Sequence, residues 1–200
     1  MCEQFDVSRI TVRQAIAGLV NEHLLVREAG RGTYVVEPRI EQHIGFSVDV
    51  NRDGEYAGSK ALEFSIVPAT GVIGRTLGLD VGSDVIRLKR LRLAEDIPVS
   101  VETTHLPGSV WPGMSTENLE KRSLYQVLME KYHIVLTRAK QQIEAWACPD
   151  EVASLLAIPH NSPVLHIYRT AYDQNNQPFE CVESFCRGDR YTFYAEFQNE

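Results

Sequence analysis

The chain has 200 residues, of which 44% are hydrophobic and 24% charged, and its formal charge is −7 at pH 7. This composition predicts a soluble globular protein of one or two domains. The chain contains no apolar run of the ~20 residues that a membrane span needs, and no signal peptide, so we expect a cytoplasmic protein without a membrane partner. The four cysteines and six histidines lack the spacings of metal ligands, so we expect reduced thiols, no metal and no cofactor.

The first element predicted along the chain is a short amphipathic helix that begins within residues 7–16. Ser8 is a good N-cap, and Arg9 and Arg13, one turn apart, share a helix face with Thr11. Apolar residues on another face follow the spacing of a buried stripe. The stripe consists of Val12, Ala15, Ile16, Leu19 and Val20.

A two-stranded hairpin with a basic, glycine-rich tip follows the helix. Residues 24–26 and 33–36 are β-prone, and Gly30, Arg31 and Gly32 form the turn between them. A helix followed by such a hairpin is typical of a winged helix-turn-helix. Residues 1–36 hold four arginines against four acidic residues, so the rest of the chain carries the whole negative charge.

The remainder of the chain predicts a polar linker, residues 37–44, and a second domain, residues 45–200. Residues 70–91 align with residues 149–170 at an offset of 79, with Arg90 matching Arg169. Each copy reads as strand, short helix, strand, tight turn and returning strand, with a further helix candidate upstream. This pattern predicts an α+β domain around a mainly antiparallel sheet. Two related halves also create a cleft that suits a small ligand.

Polar residues in this domain form a candidate anion site. Arg90 and Arg92 alternate with leucines, so both leave the same strand face, and Glu102 sits on the returning strand. Ser47 and Ser123 each precede a helix candidate, where backbone amides and a hydroxyl can bind an anion such as phosphate. Two plainer alternatives stay open: the charged residues form a surface ion-pair group, and the serines are ordinary helix caps.

Three stretches carry a resemblance to a known family. Residues 2–36, CEQFDVSRITVRQAIAGLVNEHLLVREAGRGTYVV, resemble the second and third helices and the wing of GntR-family bacterial transcription regulators. LKRLRLAEDIPVSVETTHLP (88–107) and PFECVESFCRGDRYTF (178–193) resemble the UTRA effector-binding domain of the HutC-like subfamily. Family members carry further helical segments before this point. The resemblance therefore implies an N-terminally truncated winged helix-turn-helix, which we expect to bind DNA poorly alone, followed by a chorismate-lyase-like α+β domain.

The resemblance also implies two sets of binding residues. The set facing DNA consists of Ser8, Arg9, Thr11, Arg13, Arg31, Gly32 and Thr33. The set surrounding a phosphorylated sugar or another small metabolite consists of Ser47, Arg90, Arg92, Glu102, Ser123, Tyr125 and Glu180. Cys186 stands where relatives often have tyrosine. A purely packing role for Tyr125 is the alternative to ligand contact.

Together, the sequence patterns and the family resemblance predict a ligand-responsive transcriptional repressor and not an enzyme. Its expected partners are palindromic operator DNA, a small anionic effector and a second copy of the chain, because two heads ~34–36 Å apart read successive half-sites. Two alternatives stay open. One is an enzyme similar to chorismate lyase, although no nucleophile–base pair or metal set is evident, and the other is a head-deficient module that only binds ligand.

Overall fold

A computed structural model of the chain describes a helix, a hairpin and most of the larger domain. The described residues are 7–21, 25–28, 30, 32–35, 40–43, 57–94, 96–110, 114, 119 and 123–194. The chain divides into two compact units, Met1–Ile40 and Glu41–Glu200. Within the described ranges, no helix is long and apolar enough to cross a membrane.

The smaller unit contains the predicted helix and hairpin. Helix α1 spans Arg9–Asn21, and the Ser8 hydroxyl caps it by accepting a hydrogen bond from the Thr11 amide at 3.2 Å. Strands β1 (Leu25–Glu28) and β2 (Gly32–Val35) pair in antiparallel register. At the tip, Gly30 and Gly32 have φ angles of 78° and 117°, which side chains disfavour, so glycine fits this turn.

The burial predicted for the apolar stripe of α1 is wrong in part. Val12, Ile16 and Val20 are half-buried, whereas Ala15 and Leu19 are exposed. The three half-buried residues follow each other at intervals of four and therefore form one row along the helix. The described segment that packs against α1 is β1, and a single short strand covers one such row and leaves the neighbouring row open.

The larger unit is an α+β domain built on a mainly antiparallel sheet, as predicted. Its elements are β4 (Ala57–Pro68), α2 (Gly71–Leu77), β5 (Asp84–Ala94), β6 (Ile97–Pro107), α3 (Leu124–Tyr132), β7 (Leu136–Ala147), α4 (Asp150–Leu156), β8 (Pro163–Asp173) and β9 (Pro178–Arg187). The six strands form one sheet in the order β4-β5-β6-β9-β8-β7. A 3-10 turn, Gly108–Val110, follows β6. Strands β3 (Ile40–His43) and β10 (Tyr191–Tyr194) form a separate two-stranded sheet.

The sheet consists of two equivalent halves, each with the order strand, helix, strand, strand. The first half is β4-α2-β5-β6 and the second is β7-α4-β8-β9. Corresponding elements have equal lengths: 12 residues in β4 and β7, 7 in α2 and α4, and 11 in β5 and β8. Strands β6 and β9 end the two halves and pair with each other at the centre of the sheet.

Helices cover the two faces of the sheet unequally. On one face, α3 packs Leu124 and Leu128 against Ile86, Leu88 and Leu106. On the other face, α2 and α4 pack over separate apolar clusters. Because side chains alternate between the faces along each strand, even-numbered positions of β5 and β6 point to the α3 side. This side, called the α3 face below, contains the polar site.

Candidate functional site

The centre of the α3 face carries charged side chains from neighbouring strands. Arg90 and Arg92 lie on β5, and Glu102 of β6 is the direct cross-strand partner of Arg90. The register is antiparallel, so these side chains stand side by side on one face. The structure therefore brings together the three residues that the alternation of arginines and leucines predicts.

Glu102 bridges the two arginines. Arg90 Nη2 donates to Glu102 Oε2 at 3.1 Å, and Arg92 Nε lies 4.0 Å from the same oxygen. The side chains of Arg90, Arg92 and Glu102 are only 6%, 13% and 18% exposed, so they do not form a surface ion-pair group. Among the described residues, no acceptor lies within hydrogen-bond distance of Arg90 Nε. A buried donor of this kind can still bind an acceptor from a ligand.

A second carboxylate, Glu180 of β9, lies on the same face. Tyr125 Oη donates to Glu180 Oε2 at 2.8 Å, and Arg169 Nη2 lies 3.7 Å from the same oxygen. Tyr125 stands in the first turn of α3, where the Ser123 hydroxyl accepts a hydrogen bond from its amide at 3.2 Å. Ser123 therefore caps the helix that brings Tyr125 to Glu180.

The environment of Glu180 opposes ionisation. The residue is 1% exposed, and burial raises the pKa of its carboxyl group. The hydrogen bond from Tyr125 and the charges of Arg169 and Arg90 act in the opposite direction, while the charge of Glu102 raises the pKa further. Burial is the largest of these effects, so the folded protein holds a proton on Glu180 at a higher pH than the unfolded chain does.

Two of these side chains, Glu102 and Arg169, line an open pocket on the α3 face. The space free of atoms there is about 340 Å³, a volume that includes open solvent. Its lining consists of Glu102, Gln141, Ile167, Arg169, Val182, Ser184, Cys186 and Tyr191. The pocket thus places a guanidinium, a carboxylate, hydroxyl groups, an amide and apolar groups around one small space, which suits a polar, charged small molecule.

One wall of the pocket is polar but uncharged at neutral pH. Cys186 is buried, and Tyr191 Oη donates to Ser100 Oγ at 3.3 Å. Burial raises the pKa of the Cys186 thiol and of the Tyr191 phenol. Cys186 stands where the family resemblance leads one to expect tyrosine, and a phenol enters the pocket from Tyr191 instead.

Arg169 lines the pocket but was not among the predicted site residues, although the sequence contained a signal for it. The internal repeat aligns Arg90 with Arg169, so the strand position of one arginine indicated the other. Glu102 and Glu180 likewise lie on the last strand of each half. The first half therefore contributes Arg90, Arg92 and Glu102, and the second half contributes Arg169 and Glu180. Gln141, Ser184 and Tyr191 carried no comparable signal, because their proximity depends on which strands pair.

The predicted residues fall into described and undescribed groups. In the smaller unit, exposed positions on α1 and β2 hold Ser8, Arg9, Thr11, Arg13, Gly32 and Thr33. Arg31 and Ser47 lie outside the described residues. In the part of the chain that the structure covers, no three His, Cys, Asp or Glu side chains converge as metal ligands.

Comparison with known proteins identifies the family. Residues 52–192 match the UTRA domain, and residues 1–35 match the bacterial regulatory proteins of the gntR family. The chain belongs to the GntR family. Over 195 residues this GntR-family chain is 40% identical to the HTH-type transcriptional repressor NagR of Bacillus subtilis (strain 168), covering 96% of this chain and 80% of NagR.

A second repressor agrees in sequence and in structure. The HTH-type transcriptional repressor PhnF of Mycolicibacterium smegmatis is 35% identical over 199 residues, covering 98% of this chain and 80% of PhnF. A crystal structure of PhnF from Mycobacterium smegmatis superposes with a TM-score of 0.83 at 32% identity, covering 100% of this chain and 89% of that one. The family and these relatives are transcriptional regulators, so the GntR-family chain is a regulator and not an enzyme.

Replacing Tyr125 with phenylalanine removes the hydroxyl that donates to Glu180. We expect the free energy of unfolding to fall by about 1.5–3 kcal/mol, because a buried carboxylate loses a hydrogen bond. Urea denaturation measures the change. Tyr168→Phe is the matched control: its hydroxyl donates to Glu183 at 2.9 Å, but Tyr168 is 46% and the Glu183 side chain 40% exposed, against 1% for Glu180, so its loss should be smaller. Equal losses in the two variants would contradict a special role for the Tyr125 bond.

The raised pKa of Glu180 predicts a pH-dependent contribution to stability. Between the unfolded pKa of about 4.3 and the higher folded pKa, the folded state binds more protons than the unfolded state, so the free energy of unfolding falls as pH rises. Glu180→Gln cannot titrate and lacks this loss. The variant should therefore gain stability relative to the natural chain from pH 4.5 upward in urea denaturation series. A pH-independent difference between the two proteins would refute the shift.

Proposed function

We propose that this regulator is a repressor whose operator binding is modulated by a small anionic metabolite, with a sugar phosphate favoured. The observation that carries the proposal is the buried pairing of Arg90 and Arg92 around Glu102, a carboxylate that lines the pocket. Arginine forks match phosphate oxygens in a bidentate geometry. Arg169 is the arginine that lines the pocket itself.

Glu102 supports a sugar phosphate over a bare anion. It lies within the same polar site as the arginines, and an ionised carboxylate acts only as a hydrogen-bond acceptor. A sugar phosphate carries an anionic group for the arginines and hydroxyl donors for Glu102. The first turn of α3 lies beside Glu180 through Tyr125, and its backbone amides favour an anion nearby.

The exposed polar face of α1 supports the DNA-binding half of the proposal. Arg9 and Arg13 are exposed and one turn apart, and arginine binds guanine edges or phosphate groups. A homodimer in the cytoplasm would present two such helices to a palindromic operator. The effector acts by binding one arrangement of the dimer more tightly than the other, and this difference in affinity sets the size of the response.

Arg90→Ala and Arg92→Ala should each weaken effector binding at least tenfold, because each removes a charge-assisted contact of about 1.5–3 kcal/mol. A thermal-shift screen of sugar phosphates, urocanate, phosphonates and fatty acids identifies the ligand, and titration calorimetry then gives the affinities. Arg87→Ala, on the same strand but the opposite face, is the control that should bind normally. Unchanged affinity in both test variants would remove the arginines from the effector site.

Arg9→Ala and Arg13→Ala should weaken sequence-specific DNA binding, since loss of a bidentate base contact costs about 1–3 kcal/mol. The mobility-shift measurement uses a genomic operator fragment and a chain extended by the preceding helical segments that the resemblance implies. Arg138→Ala is the control, because Arg138 is exposed in the larger unit and stacks on Tyr172. Operator binding equal to that of the unsubstituted chain in both α1 variants would show that this helix face does not read DNA.

A further inference from the structure

We propose that Glu102 is a specificity-determining residue that occupies the anion site between Arg90 and Arg92 until a ligand displaces it. It thereby selects against simple anions and favours an anion that also carries hydrogen-bond donors. This inference rests on the proposed binding of an anionic effector at the same arginines. It adds that the pocket rejects ligands that leave Glu102 unpaired.

The backbone holds Glu102 in this position. Glu102 and Arg90 are direct partners in the antiparallel pairing of β5 and β6, so sheet register sets their proximity independently of any ligand. The hydrogen bond from Arg90 Nη2 to Glu102 Oε2 is 3.1 Å long, and Arg92 Nε lies 4.0 Å from the same oxygen. Glu102 also lines the pocket, so a ligand that enters the pocket meets this carboxylate, to which Arg90 is hydrogen-bonded.

Displacement of Glu102 has unequal consequences for different anions. An anion that takes over the arginines removes the partners of a carboxylate that is 18% exposed. Leaving a largely buried charged group unpaired costs more than a typical hydrogen bond contributes. Sulfate has no proton to donate and repels Glu102 as a like charge. An anion that bears hydroxyl or ammonium groups can donate to Glu102 and restore its hydrogen bonding. The site therefore discriminates against anions without donors, because they leave Glu102 unpaired.

Glu180 does not duplicate this role. Its partners are Tyr125 and Arg169, and Arg90 is hydrogen-bonded to Glu102. The negative charge of Glu102 reaches the rest of the site, since it contributes to the raised pKa values of Glu180, Cys186 and Tyr191. Neutralising Glu102 therefore removes both a competitor for the arginines and a repulsive charge from the pocket.

The test titrates sulfate into the natural chain and into Glu102→Gln by calorimetry, with thermal unfolding as a second readout. Glutamine keeps an acceptor for Arg90 but has no charge. We expect Glu102→Gln to bind sulfate at least tenfold more tightly, and sulfate to raise its melting temperature more than that of the natural chain. Glu102→Asp keeps the charge on a shorter side chain, so it should bind with intermediate affinity and is the alternative variant if the glutamine variant folds poorly.

Two further variants locate the effect. Glu63→Gln makes the same chemical change in a cross-strand ion pair on the opposite face, where Glu63 lies 3.6 Å from Arg87, and it should leave sulfate affinity unchanged. Arg90→Ala combined with Glu102→Gln should lose the gained affinity. A gain that survives in the double variant would place the bound sulfate elsewhere and overturn the inference.

A comparison of two anions tests the selection for donors. At about pH 6, inorganic phosphate is mostly dihydrogen phosphate, which carries two O–H donors, whereas sulfate of similar size carries none. The natural chain should prefer phosphate over sulfate, and Glu102→Gln should reduce that preference several-fold. Equal sulfate affinity in the natural chain and Glu102→Gln would overturn the role of Glu102 and leave the arginine site intact. Absence of binding by either anion to every variant would overturn the anion site itself.

Discussion

The site depends on burying arginine and glutamate side chains together near the centre of a sheet. A charged group removed from water without a partner destabilises the fold by several kcal/mol, whereas a paired and hydrogen-bonded group is tolerated. Arg90 and Glu102 meet this condition at 3.1 Å, and Glu180 meets it through a 2.8 Å hydrogen bond from Tyr125, with Arg169 at 3.7 Å. The antiparallel register is what makes the pairing available, because it sets the acidic residues of β6 and β9 beside the basic residues of β5 and β8.

The duplicated architecture explains why the site lies where it does. Each half ends in the strand that carries its carboxylate, and these two strands, β6 and β9, pair at the centre of the sheet. The polar groups of both halves therefore meet on one face, and α3 closes that region through Tyr125. The face under α2 and α4 instead carries separate apolar clusters. The two short helices pack against the central strands β6 and β9 from this side and leave the α3 face to form the pocket.

Sequence reasoning reached the parts of this site that depend on local periodicity. Alternation placed Arg90 and Arg92 on one face, and the short turn before β6 placed Glu102 opposite. Tyr125 and Glu180 came from the family resemblance, since 55 positions separate them in the chain and no local pattern links them. Arg169 could have been predicted from the internal repeat, which aligns it with Arg90. Gln141 and Tyr191 could not, because their places in the pocket depend on the tertiary positions of β7 and β10, which sequence periodicity does not encode.

In the smaller unit too, the features set by local sequence were predicted correctly, whereas those set by tertiary packing were not. Capping by Ser8 and the glycine-rich turn follow from short-range chemistry, and both are present. The burial of Leu19 and Ala15 was wrong because a helical stripe predicts which residues can be buried together but not how much surface a neighbouring segment covers. Periodicity fixed the face, and packing decided which of its rows is covered.

The balance of charges at the polar site bears on the proposed regulation by an effector. Three arginines without carboxylates would bind anions strongly but would repel one another in the ligand-free protein. Glu102 pairs with Arg90 and Arg92 in the ligand-free protein, and it would offset part of the affinity of these arginines for the proposed anionic effector. A metabolite sensor has to release its ligand when the concentration falls, so a weaker, reversible site serves it better than the tightest one. In the proposed effector site, the carboxylate that pairs the buried arginines is therefore the same group that would keep ligand binding reversible.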